Sequence, residues 1–293
     1  MFGMKIYTFN EHCLDTYGEK LYKLSLDGGF SCPNRLNRTE GGCAFCAGGS
    51  GFFTPKGTIE EQIEAAKAQV RDKFKGGRYI AYFQSYTNTY APTEQLRALF
   101  TPIAHRKDIA ALSIGTRPDC LPPETVAFLG ELSQIKPLYI ELGLQTAKDT
   151  TAEQFGRGYP TARFFEAADA LGQFPNIHIV AHLMIGLPGE DKQDLLDTVK
   201  AVNEANIHGV KLHLLHILEG TPYADLYRAG QIKPLSMEEY ADLLITALKN
   251  LKPGTVIHRF TGDGPKALLL APLWSGDKKR VLNYLNKRIE ETP

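Results

Sequence analysis

Three of the five cysteines, Cys32, Cys43 and Cys46, fall in one loop rich in glycine, asparagine and proline, with the spacing C-x10-C-x2-C. Thiolates gathered on one loop are how a chain holds soft iron or zinc. The count is informative: a structural tetrahedral site wants four protein ligands, whereas three leave a metal position open for chemistry. Just upstream, Lys20 to Leu26 alternates polar and apolar residues like a strand. The cysteines therefore leave a strand's C-terminal end, where α/β proteins build their active sites.

The rest of the chain repeats that strand-then-loop pattern. Strands are predicted at 78–83, 109–115, 138–144, 177–184 and 209–215, with helices between them. Thr58-Ile-Glu-Glu61 reads as a capping box opening one helix to about Phe74, and Thr93 as the cap of the next. Pro122 sits early in a helix to Ser133, where proline is tolerated. Six strand–helix alternations with mostly apolar strands predict a parallel sheet covered on both faces. Residues 1–19 read as mixed and turn-rich. Residues 236–293 read as a small α/β extension packing on a core of residues 1–235 and finishing the barrel.

Composition narrows the function class. With 293 residues, 43% of them hydrophobic, the chain can bury one barrel-sized core. Lysine plus arginine equals aspartate plus glutamate, giving zero net charge, so nucleic-acid binding would need a local basic patch. No run approaches the roughly 18 apolar residues of a membrane span, and Met1 to Tyr7 has no signal-like apolar region. An odd, clustered set of cysteines disfavours a disulfide framework, so a reducing cytoplasm is expected.

Polar residues fall at strand C-termini. In a parallel barrel these ends share one rim, so Gln84, Arg117, Glu141, Gln145, His182 and Lys211 could face one cavity with the cysteines. A carboxylate inside an apolar strand is costly unless paired, so Glu141 should contact a ligand or bridge to Arg117 or Lys211. Cys120 could be a hydrogen donor or electron relay, or simply an inert buried thiol, and Cys13 even more so. His178, His182, His213 and His216 could bind metal, but histidine more often just packs with a satisfied ring. His182 and Lys211 join Cys120 as candidates for proton or substrate roles.

The segments Gly28-Gly-Phe-Ser-Cys-Pro-Asn-Arg35 and Gly41-Gly-Cys-Ala-Phe-Cys46 closely resemble the radical S-adenosylmethionine (SAM) superfamily. The resemblance is to its bacterial branch related to the catalytic subunit of Elongator, which shares the stretched ten-residue spacing. It runs from about residue 5 to about residue 275 and implies a partial (β/α)6 barrel. It implies that Cys32, Cys43 and Cys46 ligate a 4Fe–4S cluster whose fourth iron takes S-adenosylmethionine, generating a 5′-deoxyadenosyl radical. Phe45 would shelter the cluster or flank the adenine, or pack the loop. Gln84 and Ser85 would contact the methionine amino group. Glu141 and Gln145 match the strand-four motif, and Arg117 joins them on the rim. Arg157 would reach the methionine carboxylate or a substrate phosphate, unless it is a solvated surface arginine. Ile185 or Leu187 would stack on adenine, with Gly186 allowing close backbone approach.

The same kinship implies tRNA as partner and an electron donor such as flavodoxin or ferredoxin. The candidate reaction is trimming of carboxymethylaminomethyluridine to aminomethyluridine at the wobble position. Weak support comes from basic clusters at Arg35 with Arg38, Arg71 to Arg78, and Lys278 to Arg288, which are usually solvated helix faces. The alternatives are a radical SAM enzyme acting on a small metabolite or peptide, and a non-catalytic protein with a structural zinc completed by His12 or Cys13.

Overall fold

The computed structural model describes residues 4–38, 40–48, 53–74, 77–205, 207–262 and 264–293. Lys75, the glycine-rich stretch 49–51 and the first three residues, on which some expectations fell, lie outside them.

The chain opens with β1 (Tyr7–Thr8) and runs directly into α1 (Phe9–Tyr17). The Thr8 side chain accepts from the Glu11 N–H while Glu11 accepts from the Thr8 N–H, and Gly18 ends the helix with φ +72°. Residues 7–17 are thus not turn-rich as expected. Thr8-x-x-Glu11 is the same capping signal as Thr58-x-x-Glu61, which opens α2 as read.

The chain then continues through β2 (Tyr22–Leu26), α2 (Ile59–Val70), β3 (Tyr79–Phe83), α3 (Thr93–Ala104), β4 (Ile109–Thr116) and α4 (Pro123–Ser133). Next come β5 (Leu138–Gln145), α5 (Asp149–Gln154), α6 (Ala162–Gly172), β6 (Ile177–Ile185), α7 (Lys192–Glu204) and β7 (Gly209–Leu214). The last part holds β8 (Ile217–Leu218), α8 (Pro222–Arg228), α9 (Met237–Asn250), β9 (Val256–Arg259), β10 (Leu269–Ala271) and α10 (Lys278–Glu290).

Eight strands form one parallel sheet in the order β1-β9-β7-β6-β5-β4-β3-β2, curled into a half-barrel. The six expected strands occupy six consecutive places. Of the other two, β9 lies in the extension expected to finish the barrel, whereas β1 was not anticipated: Val256 pairs with Gly209 on one side and Tyr7 on the other, so β9 and β1 extend the edge. Beyond β9, β10 pairs antiparallel with β8, and α10 buries Val281, Leu285 and Ile289, one stripe at helical spacing.

The two faces of this sheet differ sharply. Alternate residues such as Leu24, Phe83, Ile114, Ile140, Ala181 and Leu212 point outward and pack beneath the helices in the main core. The intervening residues point into the barrel, and there the sequence is polar: Lys23 and Ser25, Tyr82 and Gln84, Glu141, His182, Lys211 and His213. The period-two signal is real but lies within strands that read as nearly continuous apolar runs.

Candidate functional site

The ten residues between Cys32 and Cys43 fold back on themselves. The Gly42 N–H donates to the Asn34 carbonyl at 2.8 Å, the Leu36 N–H donates to the Glu40 carbonyl at 3.2 Å, and Arg35 bridges antiparallel to Gly41. This small hairpin closes at its neck, so the long spacing still delivers Cys32 beside Cys43. Gly41 and Gly42 make the turn with φ +82° and +110°, a region costly for other residues. The loop is pinned from below, with the Ala44 N–H donating to the Phe155 carbonyl at 2.8 Å.

Each of the three sulfurs has its own side-chain donor. Asn34 Nδ2 donates to Cys43 Sγ at 3.3 Å, Arg35 Nη2 to Cys46 Sγ at 3.2 Å, and Arg117 Nη1 lies 3.7 Å from Cys32 Sγ. Burial pushes the Cys43 thiol up to about 11, an energetic cost that a bound metal or a nearby positive charge must offset. Two guanidiniums and an amide supply the field that three thiolates require. Among the described residues, no three His, Cys, Asp or Glu side chains are grouped around a single ion. A cluster needs no such convergence, because each thiolate binds a different iron. The donor set therefore fits a three-cysteine cluster. It does not fit the zinc alternative: Cys13 is buried among Leu21, Ile80 and Ala110 at the opposite end of the strands, and His12 bonds the Tyr139 hydroxyl at 2.9 Å.

Beside the loop, at the strands' C-terminal ends, lies a cavity of about 360 Å³ lined by Cys32, Cys43 and Cys46. Most expected residues line it too: Phe45, Gln84, Ser85, Arg117, Glu141, Gln145 and His182. Phe45 packs edge-on against Phe155, ring centres 5.3 Å apart. Gln84 donates to the Ser25 hydroxyl at 2.6 Å. Ser85, Tyr86 and Gln145 have φ near +60° although none is glycine, and all three face the cavity. Strained backbone of this kind persists where surrounding structure fixes it, and it gathers at functional sites.

Glu141 is the hub of the barrel interior. Lys23 Nζ donates to Oε1 at 3.0 Å and the Ser113 hydroxyl to the same oxygen at 2.6 Å. On Oε2, the His182 Nε2–H donates at 2.8 Å, and Lys211 forms a buried ion pair. Burial opposes the Glu141 charge, but Lys211 and Lys23 outweigh it and hold the carboxyl well below its usual range. Burial conversely pulls the Lys211 ammonium down to about 7 despite its partner. The bridge expected for Glu141 thus goes to Lys211, with Lys23 unforeseen. Arg117 instead pairs with Asp119 at 2.7 Å and lies 4.8 Å over the Tyr159 ring.

Four further expectations can be placed. Arg157 is not a solvated surface arginine, although it does line the cavity beside the cysteines. It is fully buried, donating to the carbonyls of Tyr159, Leu144 and Thr146 and to Asp149 and Thr161, so its donors are occupied in holding the turn after β5. Ile185, Gly186 and Leu187 line a separate cavity of about 220 Å³ rather than the one by the cysteines. Gly186 has φ +93°, a conformation that disfavours a side chain, and one there would also meet Leu235 at 2.9 Å; Leu183 lines the main cavity and Met184 borders both. Cys120 is buried beside Asp119, which with burial raises its thiol to about 12; it does not line the cavity. The basic clusters are partly neutralised, with Arg38 paired to Asp27, Arg78 to Glu19 and Arg288 to Asp242. Sequence reasoning missed Asn34, Arg35, Tyr82, Tyr159 and Arg259. Arg35 stood in plain view between two cysteines, whereas Arg259 became visible only once β9 joined the sheet.

Two family models match the chain, the Radical SAM superfamily over residues 32–202 and the Radical SAM C-terminal domain over 207–291. YtqA of Bacillus subtilis (strain 168) is 41% identical over 98% of this chain and 90% of its own length. More distantly, the tRNA-2-methylthio-N(6)-dimethylallyladenosine synthase of Sulfurihydrogenibium sp. (strain YO3AOP1) is 30% identical over 46% of this chain and 32% of its own. Among solved structures, Methanocaldococcus infernus Elp3 superposes with a TM-score of 0.67 at 17% identity, covering 93% of this chain. This chain spans 64% of that one, and the likeness is one of fold. Among the described residues, no helix is long and apolar enough to cross a membrane.

Proposed function

The chain belongs to the radical SAM superfamily, and from that premise we propose that it holds a 4Fe–4S cluster on Cys32, Cys43 and Cys46 and binds S-adenosylmethionine in the adjoining cavity. Its substrate is tRNA, with wobble carboxymethylaminomethyluridine trimmed to aminomethyluridine. The observation that carries the reading is the provision of a separate side-chain donor to each of three thiols at the mouth of a parallel half-barrel.

When bound, the cluster and S-adenosylmethionine supply reductive cleavage of the sulfonium carbon–sulfur bond and hydrogen abstraction by the resulting 5′-deoxyadenosyl group. The chain's own residues position and exclude. Arg35, Asn34 and Arg117 neutralise thiolate charge and raise the cluster's potential. Gln84, Ser85 and Gln145 present amide and hydroxyl groups for the amino acid moiety, the last two on backbone fixed in an unusual conformation. Phe45, backed by Phe155, closes one side of the cavity against water, which protects a reactive intermediate. The electron comes from a small donor such as flavodoxin or ferredoxin.

tRNA is supported by the tRNA-modifying activity for which the synthase relative is named and by the Elongator-like segments around the cysteines. The test is nucleoside analysis of tRNA from cells with and without the gene. Accumulation of carboxymethylaminomethyluridine with loss of aminomethyluridine is the expected result; an unchanged profile rejects the substrate. A small-metabolite or peptide substrate is the second reading, favoured by the neutral charge and the pairing of Arg38, Arg78 and Arg288.

A further inference from the structure

Gln145 ends β5 in a backbone conformation that its side chain disfavours. Its φ is +62°, and the β5–β6 pairing slips between Gly143 and Gln145, an irregularity of the kind that re-aims a side chain. A Cβ on Gly143 would meet the Gln145 Nε2 at 2.8 Å, which places that amide across Gly143, and both residues line the cavity beside the cysteines. A left-handed residue other than glycine persists only where its surroundings hold it.

The holder is Arg157. The Nη1 of its buried guanidinium donates to the carbonyls on either side of Gln145, to Leu144 at 2.8 Å and to Thr146 at 2.7 Å. Nε donates to the Tyr159 carbonyl at 2.9 Å, and Nη2 to Asp149 at 2.7 Å and Thr161 at 3.0 Å, so every N–H of the fork is committed. Tyr159 adds a second grip. Its hydroxyl donates to the Gly143 carbonyl at 2.7 Å, and the Arg157 guanidinium lies 4.9 Å from its ring centre.

The same turn is joined to the cysteine loop. Asn34 Nδ2, which donates to Cys43 Sγ, also donates to the Gly156 carbonyl at 2.6 Å and the Arg157 carbonyl at 3.0 Å. A Cβ on Gly158 would come within 2.8 Å of Asn34 Oδ1 and 3.3 Å of the Arg117 guanidinium, so the turn lies directly against the groups that serve the sulfurs. Gln145 and the cysteine loop are therefore held to one another through residues 156–159.

We propose that Arg157 and Tyr159 are positioning residues that lock Gln145 in its left-handed conformation and so aim its amide at S-adenosylmethionine beside the cysteine loop. The aim at S-adenosylmethionine rests on the functional reading above, whereas the lock stands without it. Arg157 itself has no donor left over for a ligand.

Two double-variant cycles test the proposal. The first reads stability by urea unfolding of the full chain without its cluster. Gln145→Gly relieves the left-handed strain and Gln145→Ala keeps it. The ratio of their unfolding constants, alanine over glycine, should be at least about fivefold larger with Arg157 in place than with Arg157→Lys, because a loosened fork lets the backbone at 145 relax. The entropy of glycine in the unfolded chain enters both ratios and cancels. The second cycle reads S-adenosylmethionine binding by anaerobic calorimetry of the cluster-loaded, oxidised protein. Arg157→Lys should weaken binding at least about fivefold when Gln145 is present, and less than about twofold alongside Gln145→Ala. Equal ratios in the first cycle overturn the lock. Equal losses in the second, or no loss with Arg157→Lys, overturn the positioning role. If Arg157→Lys does not fold, Tyr159→Phe, which removes the hydroxyl bond to Gly143, takes its place under the same criteria. A parent that neither binds S-adenosylmethionine nor forms 5′-deoxyadenosine on reduction overturns the functional reading instead, and the stability cycle still decides the lock.

Discussion

Replacing Glu141 by glutamine removes the carboxylate that, among the described residues, pairs with both Lys211 and Lys23 in the barrel interior, and its effect on stability should depend on pH in a defined way. Lys23 is partly exposed and can be solvated, but the Lys211 side chain is nearly inaccessible. In the parent, Lys211 is pulled down to about 7 from 10.5. The unfolded chain therefore holds this proton up to pH 10.5 while the folded one releases it near 7. Parent stability thus rises with pH above 7 at up to about 1.4 kcal/mol per unit from this group, and is flat below. Without the Glu141 charge the Lys211 pKa drops further, so the variant is still gaining stability between pH 6 and 7. At pH 8 Lys211 is neutral in both proteins, and the variant should be less stable by about 1–3 kcal/mol for imperfectly paired buried groups. At pH 6 the gap should widen by up to about 1.4 kcal/mol, to about 2.4–4.4 kcal/mol, approaching that of a buried charge stripped of its partner. Urea unfolding of the reduced, metal-free protein at the two pH values measures both gaps. Adding Lys211→Met to the variant should recover most of the pH-dependent part. A gap below about 1 kcal/mol at both pH values, or a larger gap at pH 8 than at pH 6, would refute the reasoning.

Gly42→Ala forces a side chain to within 2.8 Å of the Arg35 guanidinium at φ +110°, so it should displace Arg35 from Cys46. Iron retained after reconstitution should fall, while Gly172→Ala, a substitution into open space, leaves it unchanged. Arg157→Lys keeps the charge but cannot reproduce the fork that clasps Leu144, Thr146 and Tyr159, and should lower stability by at least about 2 kcal/mol in urea unfolding. Six of the eight histidines, His12, His178, His182, His208, His213 and His258, are held neutral by burial below the usual 6.5. The unfolded chain binds these protons first, so stability should fall steadily as pH drops from 6.5 towards 4, read as a falling Tm. A Tm flat across that window contradicts the buried-histidine arrangement.

The cysteine loop, the parallel sheet and the rim were legible because each rests on local signals: thiol spacing, apolar runs, and polar residues where those runs stop. Glu141 was legible for a related reason, since a carboxylate within Leu-Tyr-Ile-Glu-Leu has to be paired. What stayed hidden depends on contacts distant in sequence. Arg157 looks like a loop arginine until the carbonyls of Leu144 and Thr146 close around it. Ile185 and Leu187 flank a Gly-Leu-Pro-Gly turn that suggests ligand approach, yet the strand directs them away from the cavity and towards Leu235 and Phe155. Arg259 and His213 meet on one wall only because β9 inserts between β7 and β1, a pairing of segments some fifty residues apart. Polar residues recur on the inner face, as with Lys23 and Ser25 or Tyr82 and Gln84, but leucines and isoleucines on the outer face masked the alternation.

The most direct test of the central claim is anaerobic. The protein is reconstituted with iron and sulfide, reduced, and given S-adenosylmethionine, and 5′-deoxyadenosine is quantified beside Cys43→Ala. The account expects about four irons per chain and product from the parent, with product lost in the variant. A parent that retains zinc in place of iron, or forms no 5′-deoxyadenosine with a full cluster, would contradict it.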